Sequence, residues 1–173
     1  MNNRPVFIIG MMGSGKSTKG KKLSKLLDYQ FIDLDLSIEN YTNTSIQSIF
    51  ENHGELYFRE LETRLLKKNT KPDTLISCGG GTPCFNDNLN TIKSNGTVIY
   101  FKASNEALAQ RLSRANIKRP LLLNLNETQV LNKLNDLLGK REAFYNQADL
   151  VIDALNLSPL RLKELTESIK SLT

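Results

Sequence analysis

The chain has 173 residues, 39% of them apolar and 24% charged, which suits one globular domain with a full core and excludes a disordered or fibrous polypeptide. No apolar run approaches the ~18 residues of a membrane span, and the run from Val6 to Ile9 after Arg4 is too short for a secretory leader, so a cytoplasmic protein without a membrane partner is expected. The net charge of +5 comes from scattered lysines such as Lys21, Lys67 and Lys118, with no nucleic-acid-binding motif, so the basic groups are read as serving small anionic ligands rather than nucleic acid.

Short β-type runs alternate with helical stretches along the whole chain. Residues 5–9 read as a buried strand ending at Gly10, and 16–27 as a helix. A second strand covers 31–34, followed by helices at 45–50 and 55–68. Residues 74–77 form a third strand, closed by Gly79-Gly80-Gly81; a short helix at 87–93 precedes a fourth strand at 97–101. Residues 105–112 are helical, 113–123 break the pattern, and 127–145 form a long helix. A fifth strand at 150–152 and a helix at 159–172 close the chain. Strands separated by helices pair in parallel through right-handed crossovers, and such a sheet binds ligands at the carboxyl ends of its strands. The fold class is therefore α/β, a five-stranded parallel sheet between helices in three layers, built as a single domain over residues 1–173.

The sharpest motif lies just after the first strand. Gly10-Met11-Met12-Gly13-Ser14-Gly15-Lys16-Ser17 fits the phosphate-loop pattern G-x-x-x-x-G-K-[ST] without substitution. A chance glycine-rich turn would match about once per hundred chains of this size, and the strand before and helix after lower that further. Glycines let the backbone curl so that N–H groups of Gly13, Ser14, Gly15 and the helix start, through Thr18, face phosphate oxygens. Lys16 is expected to reach the β- and γ-phosphates and Ser17 to offer its hydroxyl to Mg²⁺. These features place the chain among P-loop NTPase folds and imply a nucleoside triphosphate.

Asp33 and Asp35 end the second strand, two residues apart and so on one face of it. Read functionally, Asp33 supports the Mg²⁺ shell while Asp35 binds, and deprotonates, an acceptor hydroxyl. Read structurally, Asp35 or Ser37 merely caps the next helix. Gly79-Gly80-Gly81 either lets a ligand approach the backbone closely or makes a plain turn. Arg59 and Arg141 are either solvated helix-surface residues, the former with Glu62 three positions on, or forks for a carboxylate. Four cations fall between Arg111 and Arg119, ahead of Pro120; this basic segment, 113–123, is an exposed loop or a lid in which Arg119 stabilises the transferring phosphoryl group. The cysteines Cys78 and Cys84, with one histidine, His53, make no zinc pattern and are expected as free thiols.

Taken in order, these motifs resemble the shikimate kinases, small P-loop enzymes related to the nucleoside-monophosphate kinases. The family's Asp-x-Asp reads Asp33-Leu34-Asp35; its Phe-Arg-x-x-Glu reads Phe58 to Glu62; its glycine triplet is Gly79 to Gly81. Its lid Arg-Pro-Leu-Leu is Arg119 to Leu122, and its Arg-x-x-x-Tyr is Arg141 to Tyr145. The resemblance implies ATP- and Mg²⁺-dependent phosphorylation of the 3-hydroxyl of shikimate, in aromatic amino-acid biosynthesis, by a monomer. It also implies that Arg59 and Arg141 clamp the shikimate carboxylate, that Asp35 holds ring hydroxyls, and that Gly80 and Gly81 offer N–H donors. Phe50 and Phe58 would line the apolar side of the ring, in a substrate-binding helical insertion at about 34–62. One residue is added between Arg114 and Arg119 relative to commoner family spacings, so either Arg111 or Arg114 would meet adenine, and the turn from Asp153 to Asn156 lacks the arginine that some members place there. A sugar-acid kinase of the gluconate type is the alternative enzyme, and a nucleotide-binding regulatory module the alternative outside catalysis.

Overall fold

The computed structural model describes residues 3–114, 122 and 125–172. Its centre is β1 (Val6–Ile9), every residue of which is buried. Around it the sheet runs in the order β2-β3-β1-β4-β5, with β2 at Gln30–Asp33, β3 at Thr74–Ser77, β4 at Thr97–Lys102 and β5 at Leu150–Asp153. All four pairings are parallel, with Phe7 opposite Ile76 on one side and Val98 on the other.

Alternation along β1 sends its side chains into two cores. Val6 and Ile8 join Leu23 and Leu27 of α1 (Lys16–Leu27) and Leu162, Leu165 and Ile169 of α7 (Pro159–Lys170). Phe7 and Ile9 face the other core. It is built by α2 (Leu34–Thr42), α3 (Ile46–Asn69), α4 (Asn88–Asn95), α5 (Asn105–Arg114) and α6 (Glu127–Tyr145). Helices thus cover both faces, which is why the inner strands read as unbroken apolar runs rather than alternating ones.

Several boundaries differ from the sequence reading. The second strand ends at Asp33, not Leu34, because Asp33 is the N-cap of α2 and its Oδ1 accepts from the N–H groups of Asp35 and Leu36. That helix begins at Leu34, earlier than the start that a cap at Asp35 or Ser37 would give. Helices at 45–50 and 55–68 meet at Gly54, whose φ of 78° and ψ of 176° break the helix without ending it. The helix before the lid runs to Arg114, and Ser113, read as the start of the lid, spends its hydroxyl on Ala109 O inside α5. At the end of the chain α7 stops at Lys170. Both cysteines are free thiols, and among the described residues no helix is long and apolar enough to cross a membrane.

Candidate active site

The carboxyl end of β1 turns directly into the phosphate loop. Gly10, Gly13 and Gly15 take φ values of 135°, 82° and 88°, which an L side chain rarely adopts. A Cβ on Gly10 would also stand 2.6 Å from Phe101 O, so β4 packs against the loop's first residue. Gly15 leaves the start of α1 without a side-chain cap and no acidic residue occupies the first turn, so the N–H groups there stay available to an anion. The Ser14 N–H meets Met11 O only loosely, at 3.4 Å, while its buried hydroxyl has no partner among the described residues. The Lys16 ammonium folds back onto Gly10 O at 2.8 Å and Met11 O at 2.9 Å. From the far side, Arg111 of α5 donates to Gly13 O at 3.2 Å.

A cavity of about 300 Å³ opens over this loop. Lys16, Ser17, Thr18, Asp33, Asp35 and Gly80 all line it, together with Arg111. Phosphate-binding and acceptor-side residues therefore share one space. Asp33 and Asp35 reach it, but not by strand alternation: Asp33 closes β2, while Asp35 lies in the first turn of α2. The cap assigned in sequence to Asp35 or Ser37 is made by Asp33, and the Ser37 hydroxyl instead donates to Asp33 O.

Beyond Asp35 the glycine triplet is hemmed in by charged groups. A Cβ on Gly79 would lie 2.9 Å from both Asp35 Oδ1 and Glu62 Oε1. One on Gly80 would lie 3.2 Å from Arg141 Nη1, and one on Gly81 2.7 Å from Arg59 Nη2. None of the three has a left-handed φ, so close approach, not backbone conformation, accounts for the glycines. The plain-turn reading fails on this ground.

Neither arginine is a solvated surface residue: Arg59 is 7% exposed and Arg141 is 8% exposed. Arg59 is fixed by three contacts. It donates to the buried Glu62 carboxylate at 2.8 Å and to the more exposed Glu55 at 3.0 Å, and its guanidinium covers the Phe85 ring at 4.1 Å. Glu62 also accepts from the Thr82 hydroxyl at 2.6 Å, tying α3 to the short 3₁₀ turn Thr82–Cys84. For Arg141, among the described residues, no carboxylate lies within ion-pair distance. A buried guanidinium without a counter-charge is a place for an anion. The Tyr145 hydroxyl, one helical turn on, donates to Gly80 O.

Burial raises the Tyr145 phenol well above its ordinary value, although the Arg141 charge and hydrogen bond oppose the shift. Its neighbour Tyr100, ring centroid 5.0 Å away, is pushed up to about 12 by burial and by the Glu142 carboxylate. Burial likewise raises both thiols; Cys84 remains protonated despite Arg141 and Arg59 beside it. On the other side of the loop, burial and the Arg111 charge lower the Lys19 ammonium, which donates to Ala154 O after β5.

Of the residues singled out in sequence, Gly13, Ser14, Gly15, Lys16, Ser17, Thr18, Asp33, Asp35, Arg59, Gly80, Gly81 and Arg141 gather at the carboxyl end of the sheet. Arg119, the lid arginine, lies outside the described residues. Arg111 lines the cavity, whereas Arg114 is exposed at the end of α5. Phe58 is a core residue stacked against Phe50 at 4.7 Å, and Phe85 supplies the ring nearest Arg59. Glu62, Thr82 and Tyr145 were not assigned roles in the sequence reading. Glu62 and Tyr145 stood there as the ends of two family motifs, and Glu62 also three positions from Arg59, whereas nothing pointed to Thr82. A divalent cation finds a suitable donor set: the Ser17 hydroxyl and Asp33, one of whose carboxylate oxygens is taken by the α2 cap, line the same cavity. No group of three or more His, Cys, Asp or Glu side chains that could hold a metal ion occurs among the described residues.

The chain is similar to proteins described as shikimate kinases. The family profile for shikimate kinase matches residues 12–172. A shikimate kinase from Parabacteroides distasonis is 41% identical over 150 residues, covering 86% of this chain and 87% of its own. The crystal structure of shikimate kinase from Bacteroides thetaiotaomicron superposes with a TM-score of 0.89 at 32% identity, covering 98% of this chain and 97% of that one. Shikimate kinase from Acinetobacter baumannii in complex with shikimate gives 0.83 at 32% identity, over 98% and 92% of the two chains. A deoxyadenosine kinase from M. mycoides, at 18% identity and a TM-score of 0.62, shares the fold alone. With its phosphate loop, buried arginine pair and glycine triplet in one site, and a family match spanning nearly its whole length, this chain belongs to the shikimate kinase family.

Proposed function

We propose that the chain transfers the γ-phosphoryl group of ATP to the 3-hydroxyl of shikimate, giving shikimate 3-phosphate. The observation that carries this reading is the convergence of two buried guanidinia, Asp35 and the glycine triplet beside the phosphate loop. That set suits a small ligand with one carboxylate and several hydroxyls. Arg141 takes the carboxylate as its counter-ion, and Arg59, held by Glu62 and Glu55, completes the clamp. Gly80 and Gly81 add backbone donors. Asp35 accepts from the acceptor hydroxyl, orienting its oxygen toward the loop and taking its proton during transfer.

On the donor side, Gly13 to Thr18 hold the phosphates through their N–H groups. Lys16 leaves the Gly10 and Met11 carbonyls for β- and γ-phosphate oxygens. Ser17 and Asp33 hold Mg²⁺, which when bound neutralises charge on the phosphate oxygens. Transfer is in line between donor and acceptor oxygens, with no covalent enzyme intermediate. Arg119, in a lid at about 113–123, stabilises the transferring group and helps exclude water. Arg111, not Arg114, faces the nucleotide, because it lines the cavity. The chain works as one cytoplasmic kinase domain and a monomer, with residues 34–62 as the acceptor segment, in the pathway to aromatic amino acids.

The test is ADP release measured by a coupled assay with MgATP and either shikimate or gluconate. Shikimate-dependent turnover is expected, with none on gluconate. Turnover on gluconate alone, or ADP release unaffected by shikimate, would overturn the assignment.

A further inference from the structure

Two side chains that can only donate stand between the phosphate loop and the turn after β5. Lys19, in the first turn of α1, gives its backbone N–H to Gly15 O at 2.8 Å and sends its side chain back over the loop. Its Cδ and Cε lie 3.6 and 3.8 Å from the point a Cβ on Gly15 would take, and Arg111 Nη1 lies 3.7 Å from the same point. The Lys19 ammonium runs on to Ala154 O, 135 positions away and just past β5. Among the described residues neither Lys19 nor Arg111 forms an ion pair. Like charges held this close favour electron-rich atoms beside them.

The turn itself spends its acceptors internally. Asp153 Oδ1 accepts from the Leu155 N–H at 2.9 Å and Oδ2 from the Asn156 amide at 2.6 Å. Asn156 O accepts from the Ser158 N–H at 3.0 Å, and Ala154 O is covered by Lys19. The acceptor-side residues follow β2 and β3, so a nucleoside leaves the loop on the β4–β5 side, where these groups lie. A base there meets an ammonium with two N–H bonds to spare and a guanidinium. Guanine offers such donors two acceptors, N7 and O6; adenine offers N7 and, in place of O6, an amino group that is itself a donor.

We propose that Lys19 reads the 6-oxo edge of a purine, so that a 6-oxopurine nucleoside triphosphate such as GTP serves as phosphoryl donor alongside ATP. The proposal rests on the kinase reading above and extends its donor. The chemistry is unchanged: the bond from the β,γ-bridging oxygen to the γ-phosphorus breaks, the 3-oxygen of shikimate bonds to that phosphorus, the hydroxyl proton passes to Asp35, and GDP leaves. The base stays remote from these atoms, so the choice of base acts through binding.

The experiment measures shikimate 3-phosphate directly by ³¹P NMR, with ATP, GTP or ITP as the Mg²⁺-bound donor. ITP carries the 6-oxo group without the 2-amino group of guanine. In wild type, kcat/KM for GTP and ITP should fall within about tenfold of that for ATP, the scale of one good base contact. Lys19→Met keeps the stem and removes the donor; it should raise KM for GTP and ITP about tenfold more than KM for ATP. Lys19→Arg, which restores donors, should keep the use of GTP. Wild-type rates on GTP and ITP below about a hundredth of that on ATP overturn the proposal without any variant. So does an equal loss on all three nucleotides in Lys19→Met, which would assign Lys19 to the phosphates or the fold. Use of GTP but not ITP would mean that the 2-amino group is read, which also refutes it. No shikimate 3-phosphate from any nucleotide would instead overturn the underlying function.

Discussion

Glu62→Gln is the most informative single change in the acceptor site. Glu62 is fully buried and serves two partners, Arg59 Nη1 at 2.8 Å and the Thr82 hydroxyl at 2.6 Å. The amide keeps the volume and retains an acceptor for Thr82, but it presents no second anionic oxygen to Arg59. Losing one charge-assisted hydrogen bond in the interior costs about 2 kcal/mol. A greater loss is not expected, because Arg59 is not left unpaired: Glu55 holds its other edge, with a side chain 56% exposed and hence a weak grip. For a domain of this size about 2 kcal/mol lowers Tm by about 4–8 °C. The same change frees Arg59 to swing toward solvent, so KM for shikimate should rise about tenfold with KM for ATP unaltered. Differential scanning calorimetry and coupled ADP release measure the two effects. A Tm within a degree of wild type would show that Glu62 is not the anchor its burial implies. A matched rise in both KM values would show that it supports the whole site rather than Arg59.

Two further outcomes follow from the same geometry. Arg141→Met removes the buried cation that lacks a carboxylate partner among the described residues, so KM for shikimate should rise about 100-fold, from ~3 kcal/mol of lost ion recognition. Initial rates at saturating ATP check this, and a rise below threefold would detach Arg141 from the carboxylate. Asp153 accepts from the Asn156 amide at 2.6 Å and the Leu155 N–H at 2.9 Å, which holds its carboxyl below the ordinary 3.8. A carboxylate lowered in this way stabilises the fold fully above the unfolded value and loses that contribution as pH falls through the depressed one. Acid unfolding followed by circular dichroism should therefore be shallower below pH 4 in Asp153→Asn, and an unchanged acid limb would contradict it.

What could be read in the sequence was governed by how local each signal is. The strands and α6 were legible because burial on both faces or helical spacing leaves a continuous pattern; 74–77 and 127–145 match the structure residue for residue. The phosphate loop was legible because its geometry is set by its own glycines. The start of α2 was misplaced because its N-cap, Asp33, is also the last strand residue, and the motif around it had been explained as a strand-end carboxylate pair. Gly54 was read as a gap between helices for a comparable reason: one residue with non-helical angles looks, in sequence, like a break. Residues of the acceptor site were harder. Nothing near Gly81 in sequence says that Arg59, on another helix, fills the space of its missing side chain. Tyr145 meets Gly80 across 65 positions, and only the fold brings them together.

The strand order explains why donor and acceptor sites stay separate yet touch. β1 carries the phosphate loop and lies between β3 and β4. Asp33 closes β2, Asp35 opens the helix that follows it, and the glycine triplet follows β3, so this half of the acceptor site stands to one side of the loop. Arg111 follows β4 and Lys19 reaches across to the turn after β5, so on the proposed reading the nucleoside has the other side. A phosphoryl group held by Lys16 at the boundary has the two oxygens of an in-line transfer on opposite sides of it. One element crosses the division. α6 packs against α5 beside the loop, yet its last turns deliver Arg141 and Tyr145 to the glycine triplet. It also begins just beyond the basic segment that carries Arg119. On the proposed reading, α6 therefore links the carboxylate site to the helix whose Arg111 holds the phosphate loop.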